Sequence, residues 1–101
     1  MSTRKRRTLT DDELELVARH FRLLGEPMRL RILQAVCNAP LTVGDIVEAT
    51  KATQANVSKH LALLADAGIL KREKDGQRVY YSMKDPLVLR VCELVHQQLA
   101  P

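Results

Sequence analysis

The sequence is poor in aromatic residues, with one phenylalanine, two tyrosines and no tryptophan among its 101 residues. A hydrophobic core must therefore be built from leucine, valine, isoleucine and alanine. Two cysteines are too few for a disulfide framework, which favours a reducing compartment. No apolar run approaches the roughly 20 residues of a membrane span, and the charged, polar N-terminus lacks the apolar segment of a signal peptide. We therefore expect a cytoplasmic protein that does not enter the membrane.

The overall amino-acid composition is typical of one small globular domain. Hydrophobic residues make up 46% of the chain and charged residues 28%, which is ordinary globular usage. At this size a folded monomer buries only about 60–65% of the surface that its unfolded chain exposes. A second copy would add buried area, so we expect a homodimer.

Positive charge is concentrated in two regions of the chain, and the formal net charge is +4. Residues 1–8 contain four basic residues and no acidic residue, and residues 51–84 contain seven basic and three acidic residues. The stretch between them, residues 9–50, has four basic and seven acidic residues. This distribution predicts a polyanionic partner that meets the two basic regions. A solvated surface would give the same pattern, so charge alone does not decide.

Apolar periodicity and capping signals predict four helices in the first two thirds of the chain. The first begins after Thr10, which starts a capping-box pattern, and ends at Gly25. The second runs from Pro27 to about Cys37. Its predicted buried residues are Leu30, Ile32, Leu33 and Val36. The third helix follows Thr42, and the fourth follows Thr53 and ends near Ala67.

A β-hairpin and a last helix complete the predicted order. The dipeptide Asp75-Gly76 is a strong signal for a two-residue hairpin turn, and Asp85-Pro86 suits the start of a helix. The second strand places Val79, Tyr81 and Met83 on one face. The expected fold class is mainly α with a small β-hairpin wing, in the order α-α-α-α-β-β-α. Residues 9–101 would form this winged helix-turn-helix domain, after a disordered basic arm at residues 1–8.

The fourth helix is the predicted recognition helix of this domain. Glutamine and asparagine can read adenine edges, base contacts usually come from the N-terminal part of such a helix, and helix N-termini suit phosphate. The candidate DNA-binding residues here are Thr53, Gln54, Asn56, Ser58, Lys59 and His60. His60 could instead pack against another helix.

The predicted hairpin carries a cluster of basic residues next to this helix. Arg72, Lys74 and Arg78 are the candidate DNA-binding residues of the wing, with Lys71 beside them. The alternative is that these charges protect an exposed strand edge from pairing. Together with the preceding helix pair, the cluster favours contact with double-stranded DNA.

The chain resembles the ArsR/SmtB family of bacterial winged-helix repressors between residues 21 and 82. The motifs that carry the resemblance are LGEPMRLRIL at 24–33, LTVGDI at 41–46, NVSKHLALL at 56–64, GIL at 68–70 and GQRVYY at 76–81. The resemblance implies a homodimer whose first and last helices form the interface. It also implies repression from a two-fold operator, with release by a small inducer.

Two metal sites that the resemblance implies lack their ligands here. One would use cysteines at the start of the third helix, where Thr42 and Gly44 stand. The other would use the last helix, where Asp85 matches but three further ligands are missing. Those three positions hold Leu87, Gln98 and Pro101. We therefore expect neither site and no cofactor.

The last helix does contain a Cys92–His96 pair four residues apart, on one helix face, which could hold a soft metal ion such as Zn²⁺. Such a site would need two more ligands, for which Cys37, His20 and Glu93 are candidates. Cysteine and histidine at an interface more often serve packing.

Cys37 and Cys92 are the candidate effector site for a thiol switch. The resemblance includes regulators with one cysteine on the second helix and one on the last, which respond to reactive sulfur or oxidants. Compared with the cysteine positions of those regulators, Cys37 lies about one turn later in the second helix and Cys92 about two turns earlier in the last helix. A disulfide needs Cα atoms within about 7 Å of each other.

Other function classes are less consistent with the sequence. There is no glycine-rich phosphate loop, no Ser/His/Asp arrangement and no carboxylate pair in an apolar setting, so we do not expect an enzyme. A winged helix that binds protein is the other alternative, against which the basic wing argues. We expect a DNA-binding repressor whose inducer is reactive sulfur, an oxidant or a metal ion. A regulator with no small-molecule sensing is the remaining alternative.

Overall fold

The computed structural model describes residues 8–101, so nearly all of the expected basic arm lies outside the described residues. Five helices and two strands follow one another in the order that the sequence predicts. They are α1 (Asp11–Leu24), α2 (Pro27–Val36), α3 (Val43–Thr50), α4 (Gln54–Asp66), β1 (Leu70–Asp75), β2 (Arg78–Met83) and α5 (Leu87–Leu99). Over residues 8–101, none of these helices combines the length and the apolarity that a membrane crossing requires.

Short side-chain caps determine where three of the helices begin. Thr10 Oγ1 accepts a hydrogen bond from the Glu13 backbone N–H at 3.2 Å, and the Glu13 carboxylate accepts one from the Thr10 N–H at 2.9 Å. Thr42 and Asp45 form the same reciprocal box at the start of α3. Thr53 Oγ1 accepts from the Asn56 N–H at 3.2 Å and caps α4. Each cap satisfies N–H groups that have no acceptor within the helix.

The core lies between α2, α3, α4 and the inner face of the hairpin. It is built from aliphatic residues, as the scarcity of aromatics requires. Its buried members are Leu24, Ile32, Leu33, Val36, Ile46, Val57, Leu61, Leu64, Ile69, Leu70 and Val88. Tyr81 packs against this cluster, and its backbone pairs with Leu41 through hydrogen bonds of 2.9 and 2.7 Å. That bridge fastens the segment before α3 to the hairpin.

The predicted buried face of α2 needs one correction, because Leu30 is exposed. Ile32, Leu33 and Val36 are buried and define the inward face. At about 100° per residue, Leu30 lies roughly 120° around the helix from Val36, outside that face. The helix also ends one residue early, with Cys37 as its C-terminal cap.

Two helices leave large apolar side chains exposed in the single chain. On α1 and α5, these side chains are between 39% and 77% exposed. They are Leu14, Leu16, Val17, Phe21, Leu87, Leu94, Val95 and Leu99. An apolar surface of this extent on so small a domain is typical of an interaction face. That these two helices form a dimer interface stays a prediction.

Candidate nucleic-acid interface

The turn between α3 and α4 sets the geometry of the helix pair. Lys51 has φ of 58° and ψ of 26°, in the left-handed region, and its N–H donates to the Val47 carbonyl at 2.7 Å. This conformation reverses the chain within three residues, and Thr53 then caps the next helix. Sequence reasoning missed the special role of Lys51, since lysine carries no signal for a left-handed backbone.

The recognition helix α4 separates an apolar side from an exposed polar surface. Val57, Leu61 and Leu64 are completely buried, at i, i+4 and i+7. Five of the six polar candidates on this helix are exposed. They are Thr53, Gln54, Asn56, Ser58 and Lys59. The structure therefore brings these five together around the N-terminal half of α4, where backbone N–H groups and the helix dipole favour a negatively charged partner.

His60 is the exception: it does not lie on the exposed polar surface but follows the predicted alternative of packing against another helix. Its side chain is buried at 6% exposure, between the inward-facing residues of α4. Nδ1 accepts a hydrogen bond from Arg29 Nε at 3.2 Å, and Nε2 lies 3.7 Å from Glu26 Oε2. The sequence could not decide this because histidine is found on both apolar and polar helix faces.

Glu26 caps α2, and its carboxyl group has a shifted pKa. Burial raises the pKa of Glu26, but hydrogen bonds from the Met28 and Arg29 backbone, together with the electrostatic influence of the His60 and Arg29 side chains, outweigh burial and lower the pKa. The net pKa lies below its ordinary value, so the carboxylate is charged at neutral pH. The Arg29 N–H donates to Glu26 Oε2 at 3.1 Å.

The hairpin presents its basic residues on two faces rather than one. In the antiparallel register, Arg72 is opposite Tyr81 and Lys74 is opposite Val79, whereas Arg78 is opposite Asp75. Directly opposed residues share a face of the sheet. Arg72 and Lys74 therefore lie on the face that includes Tyr81, and Arg78 lies on the other. All three side chains are exposed.

Lys71 forms an ion pair within the wing. Its Nζ lies 2.7 Å from Glu73 Oε1, and both side chains are more than half exposed. Exposed ion pairs of this kind contribute about 0–1 kcal/mol. This pair therefore explains little of the stability of the hairpin.

The candidate effector residues lie apart from the recognition helix in the chain. Cys37 ends α2 and Cys92 lies on α5; both are free thiols and partly buried. His96 follows Cys92 by one turn and is exposed. Within residues 8–101 of one protomer, no three His, Cys, Asp or Glu side chains are grouped to hold a metal ion. Cys37, His20 and Glu93 therefore do not complete a site around the Cys92–His96 pair in a single chain.

Two helices joined by a sharp turn, with a β-hairpin directly after the second helix, define a winged helix-turn-helix domain. The sequence model described as "Bacterial regulatory protein, arsR family" matches residues 26–72, from the start of α2 into β1. The chain belongs to this family of transcriptional regulators.

Curated relatives of the chain are repressors of the same family. A transcriptional repressor SmtB homolog of Synechocystis sp. is 32% identical over 88 residues, covering 87% of this chain and 67% of that protein. A probable mercury resistance operon repressor of Streptomyces lividans is 38% identical over 81 residues, covering 80% of this chain. The matched stretch spans 62% of the length of the Streptomyces protein.

Solved structures share the fold over nearly the whole chain. The antimony-specific transcriptional repressor AntR superimposes with a TM-score of 0.81 at 34% identity, covering 93% of this chain and 86% of that one. A homodimeric winged helix-turn-helix DNA-binding domain from Mycobacterium bovis has a TM-score of 0.75 at 28% identity, covering 90% and 87% of the two chains.

Proposed function

We propose that the protein is a transcriptional repressor that binds operator DNA sequence-specifically, as a homodimer, in the cytoplasm. The observation that carries this proposal is the exposure of Thr53, Gln54, Asn56, Ser58 and Lys59 around the N-terminal half of a helix whose other side is buried. No catalytic step is part of this function. The repressor names of the family relatives support the same conclusion.

The recognition helix would read bases in the major groove. Gln54 and Asn56 have the amide groups that pair with both hydrogen-bonding atoms of an adenine edge. Lys59 and the hydroxyls of Thr53 and Ser58 would bind phosphate oxygens or base edges. The phosphate contacts would set the position of α4, and the amide contacts would select the sequence.

The wing would hold the DNA backbone next to the recognition helix. Because Arg72 and Lys74 lie on one face of the hairpin and Arg78 on the other, a hairpin tip entering the minor groove meets both flanking phosphate rows. These contacts would raise affinity for any duplex without selecting a sequence. Asp75 is opposite Arg78 in the register and would face the same row of phosphates at the hairpin tip.

Dimerisation would bring two recognition helices to one operator. The exposed apolar residues of α1 and α5 would be buried against those of a second copy, and the Mycobacterium bovis domain with the same fold is homodimeric. A two-fold dimer predicts a pseudo-palindromic operator whose half-sites are one or two helical turns apart, at about 34 Å per turn.

We propose that Cys37 and Cys92 form the effector site, and that reaction of their thiols with an oxidant or reactive sulfur weakens DNA binding. Formation of one disulfide would pass two electrons and two protons to the oxidant. The supporting observation is that both thiols are free and partly buried, one at the end of a core helix and one on the proposed dimer helix.

A metal ion is the second effector candidate, because mercury and antimony occur in the names of the relatives. Because no third ligand joins Cys92 and His96 within residues 8–101 of one protomer, a metal site would take ligands from both copies of α5. Cys92→Ser and Cys37→Ser distinguish the two candidates. Loss of the response in both variants favours the thiol switch, loss in Cys92→Ser alone favours the metal, and a normal response in both contradicts both candidates.

The proposed function is tested by a mobility-shift titration with a fragment of the protein's own promoter at several salt concentrations. We expect binding that prefers the promoter over scrambled DNA and weakens steeply with salt. Equal affinity for scrambled DNA would indicate a nonspecific basic module. No binding at low salt would favour a winged helix that binds protein.

A further inference from the structure

A hydrogen-bonded polar pair connects the recognition helix to the rest of the domain. His60 is the only polar side chain that is buried among residues 8–101. Burial of a polar group is unfavourable unless it has a hydrogen-bond partner, and His60 has one in Arg29, whose Nε donates to Nδ1 at 3.2 Å. Because Nδ1 is the acceptor, the neutral imidazole has its hydrogen on Nε2. That nitrogen lies 3.7 Å from the Glu26 carboxylate.

Arg29, on α2, bonds to α1 and α4 through its planar guanidinium group. Its Nη1 donates to the Leu23 carbonyl at 3.0 Å, in the last turn of α1. Its backbone N–H donates to Glu26 at the start of α2, and its Nε reaches His60 in the middle of α4. A guanidinium group is rigid and planar, so its donors fix the two acceptors relative to each other.

The core contacts that hold α4 are apolar and impose little direction. Val57, Leu61 and Leu64 pack in the core, and burial of such side chains is non-directional. A hydrogen bond, in contrast, weakens steeply when its angle departs from linear. The Arg29–His60 bond is therefore the contact best suited to set the rotation of α4 about its axis.

The position of His60 relates this bond to base reading. His60 follows Asn56 by four residues, so the two side chains leave neighbouring points on the same side of α4, one turn apart. Fixing His60 therefore fixes the direction in which Asn56 leaves the helix. The other end of the connection, Leu23, belongs to the helix that we propose as part of the dimer interface.

We propose that Arg29 and His60 are positioning residues for sequence-specific DNA binding. Their hydrogen bond holds α4 at a set angle to α1, and thereby presents Asn56 and its neighbours to the bases. The inference rests on the proposed function and adds to it the residues that set the orientation of the recognition helix. Neither residue touches the DNA.

The first test replaces Arg29 by lysine, which keeps the positive charge and removes the planar pair of donors. Arg31→Lys is the matched control, two positions along the same helix, with an exposed side chain. Affinities for the operator and for a scrambled duplex are measured at one salt concentration. Loss of a hydrogen bond to a charged group predicts that Arg29→Lys lowers operator affinity about tenfold. Affinity for scrambled DNA should change less than about twofold, and the control should match the wild type in both.

The second test replaces the acceptor. The His60→Asn variant would carry an amide oxygen near the place of Nδ1, so it should retain most of the operator preference. His60→Leu fills the site without an acceptor and should lose the preference to the same extent as Arg29→Lys. If His60→Leu does not fold, Arg29→Lys and His60→Asn decide the question by themselves.

Unfolding by urea and the dimer dissociation constant are measured on the same variants. A purely structural role would change only these two quantities and leave the ratio of operator to scrambled affinity unchanged. An operator-to-scrambled ratio that stays at the wild-type value in folded, dimeric Arg29→Lys overturns the inference. A wild-type protein with no operator preference would instead contradict the proposed function itself. The two failures are therefore distinguishable.

Discussion

Lys51 adopts a left-handed backbone conformation that residues other than glycine rarely adopt. Its φ of 58° puts the Cβ close to the following carbonyl, which costs roughly 1–2 kcal/mol for residues other than glycine. The helix pair keeps this residue because the turn needs a left-handed position between α3 and α4. The strain is local, since the Lys51 N–H still bonds to Val47.

Replacing Lys51 by glycine should therefore stabilise the domain. Glycine relieves the left-handed strain but loses more chain entropy on folding, so we expect a net gain of about 0.5–1 kcal/mol in the free energy of unfolding. Urea unfolding measures it. Lys51→Ala is the control, because it removes the same charge and keeps the Cβ. A Gly variant no more stable than the Ala variant would contradict the strain at this position.

Asn56→Ala should reduce sequence preference more than overall affinity. The loss of a bidentate amide contact predicts a decrease of about 1–3 kcal/mol in discrimination between the operator and a mutated site. Arg78→Ala is the comparison, since loss of a phosphate contact should weaken all duplexes about equally and reduce the salt slope by about one. Identical effects of the two substitutions on discrimination would contradict the assignment of roles.

The sequence predicted that the six polar side chains on α4 are exposed, and this holds for five of them, because the apolar spacing of Val57, Leu61 and Leu64 defines the buried side directly. It failed at His60 because the partner of the imidazole is Arg29, thirty-one positions earlier in the chain. A contact between residues so far apart leaves no periodic pattern. Leu30 failed for a related reason, since only the packing of α2 shows which side of that helix faces inward.

At the scale of elements, local capping patterns made the helix starts predictable. Thr10 and Thr42 each cap through a residue three positions later, and the sequence alone contains both halves of each box. The start of α2 was anticipated from Pro27, but its side-chain cap is Glu26, which sequence reasoning did not name. Glutamate is not a preferred N-cap residue. Here its carboxylate also accepts from the Arg29 N–H and lies 3.7 Å from His60 Nε2.

The Glu26 cap makes the stability of α2 sensitive to acid. Because folding lowers the pKa of Glu26, the carboxylate stabilises the folded state above the pKa of the unfolded chain, about 4.3. This contribution is lost as the pH falls through the lower, folded pKa. Glu26→Gln should therefore be less stable than the wild type at neutral pH, and the difference should shrink below about pH 4.

Urea unfolding of both proteins between pH 7 and pH 3 measures this difference. Glu93→Gln is the matched control, because it removes an exposed carboxylate that does not cap a helix. A difference between wild type and Glu26→Gln that stays constant or grows toward acid would contradict the lowered pKa.

Across the domain, the basic wing and the exposed apolar surface lie on different elements of the structure. The hairpin carries four of the basic residues, Lys71, Arg72, Lys74 and Arg78, whereas α1 and α5 carry most of the exposed apolar side chains. The sequence predicted the element order and the winged helix-turn-helix because each element depends on local signals. It could not predict the two-faced arrangement of the basic wing, since that depends on the register of Lys74 with Val79 and Arg78 with Asp75.

Leu94→Glu should weaken the proposed dimer without unfolding the protomer. Leu94 is 54% exposed in the single chain, so the substitution leaves the core intact. Losing at least ~1.5 kcal/mol of leucine burial in each copy predicts a dimer dissociation constant that rises roughly 100-fold. Analytical ultracentrifugation measures the constant, and circular dichroism checks that the helices remain. Leu63→Glu, on α4, is the control; equal weakening by both variants would contradict an interface centred on α1 and α5.

The DNA-binding surface is tested most directly by the shifts of backbone amide NMR signals when the isotope-labelled protein binds a duplex containing its operator. We expect the largest changes at residues 53–59 and 72–78, on the N-terminal half of α4 and on the wing. Small changes there, with the largest ones on α1 and α5 alone, would contradict a DNA-binding surface made of the recognition helix and the hairpin.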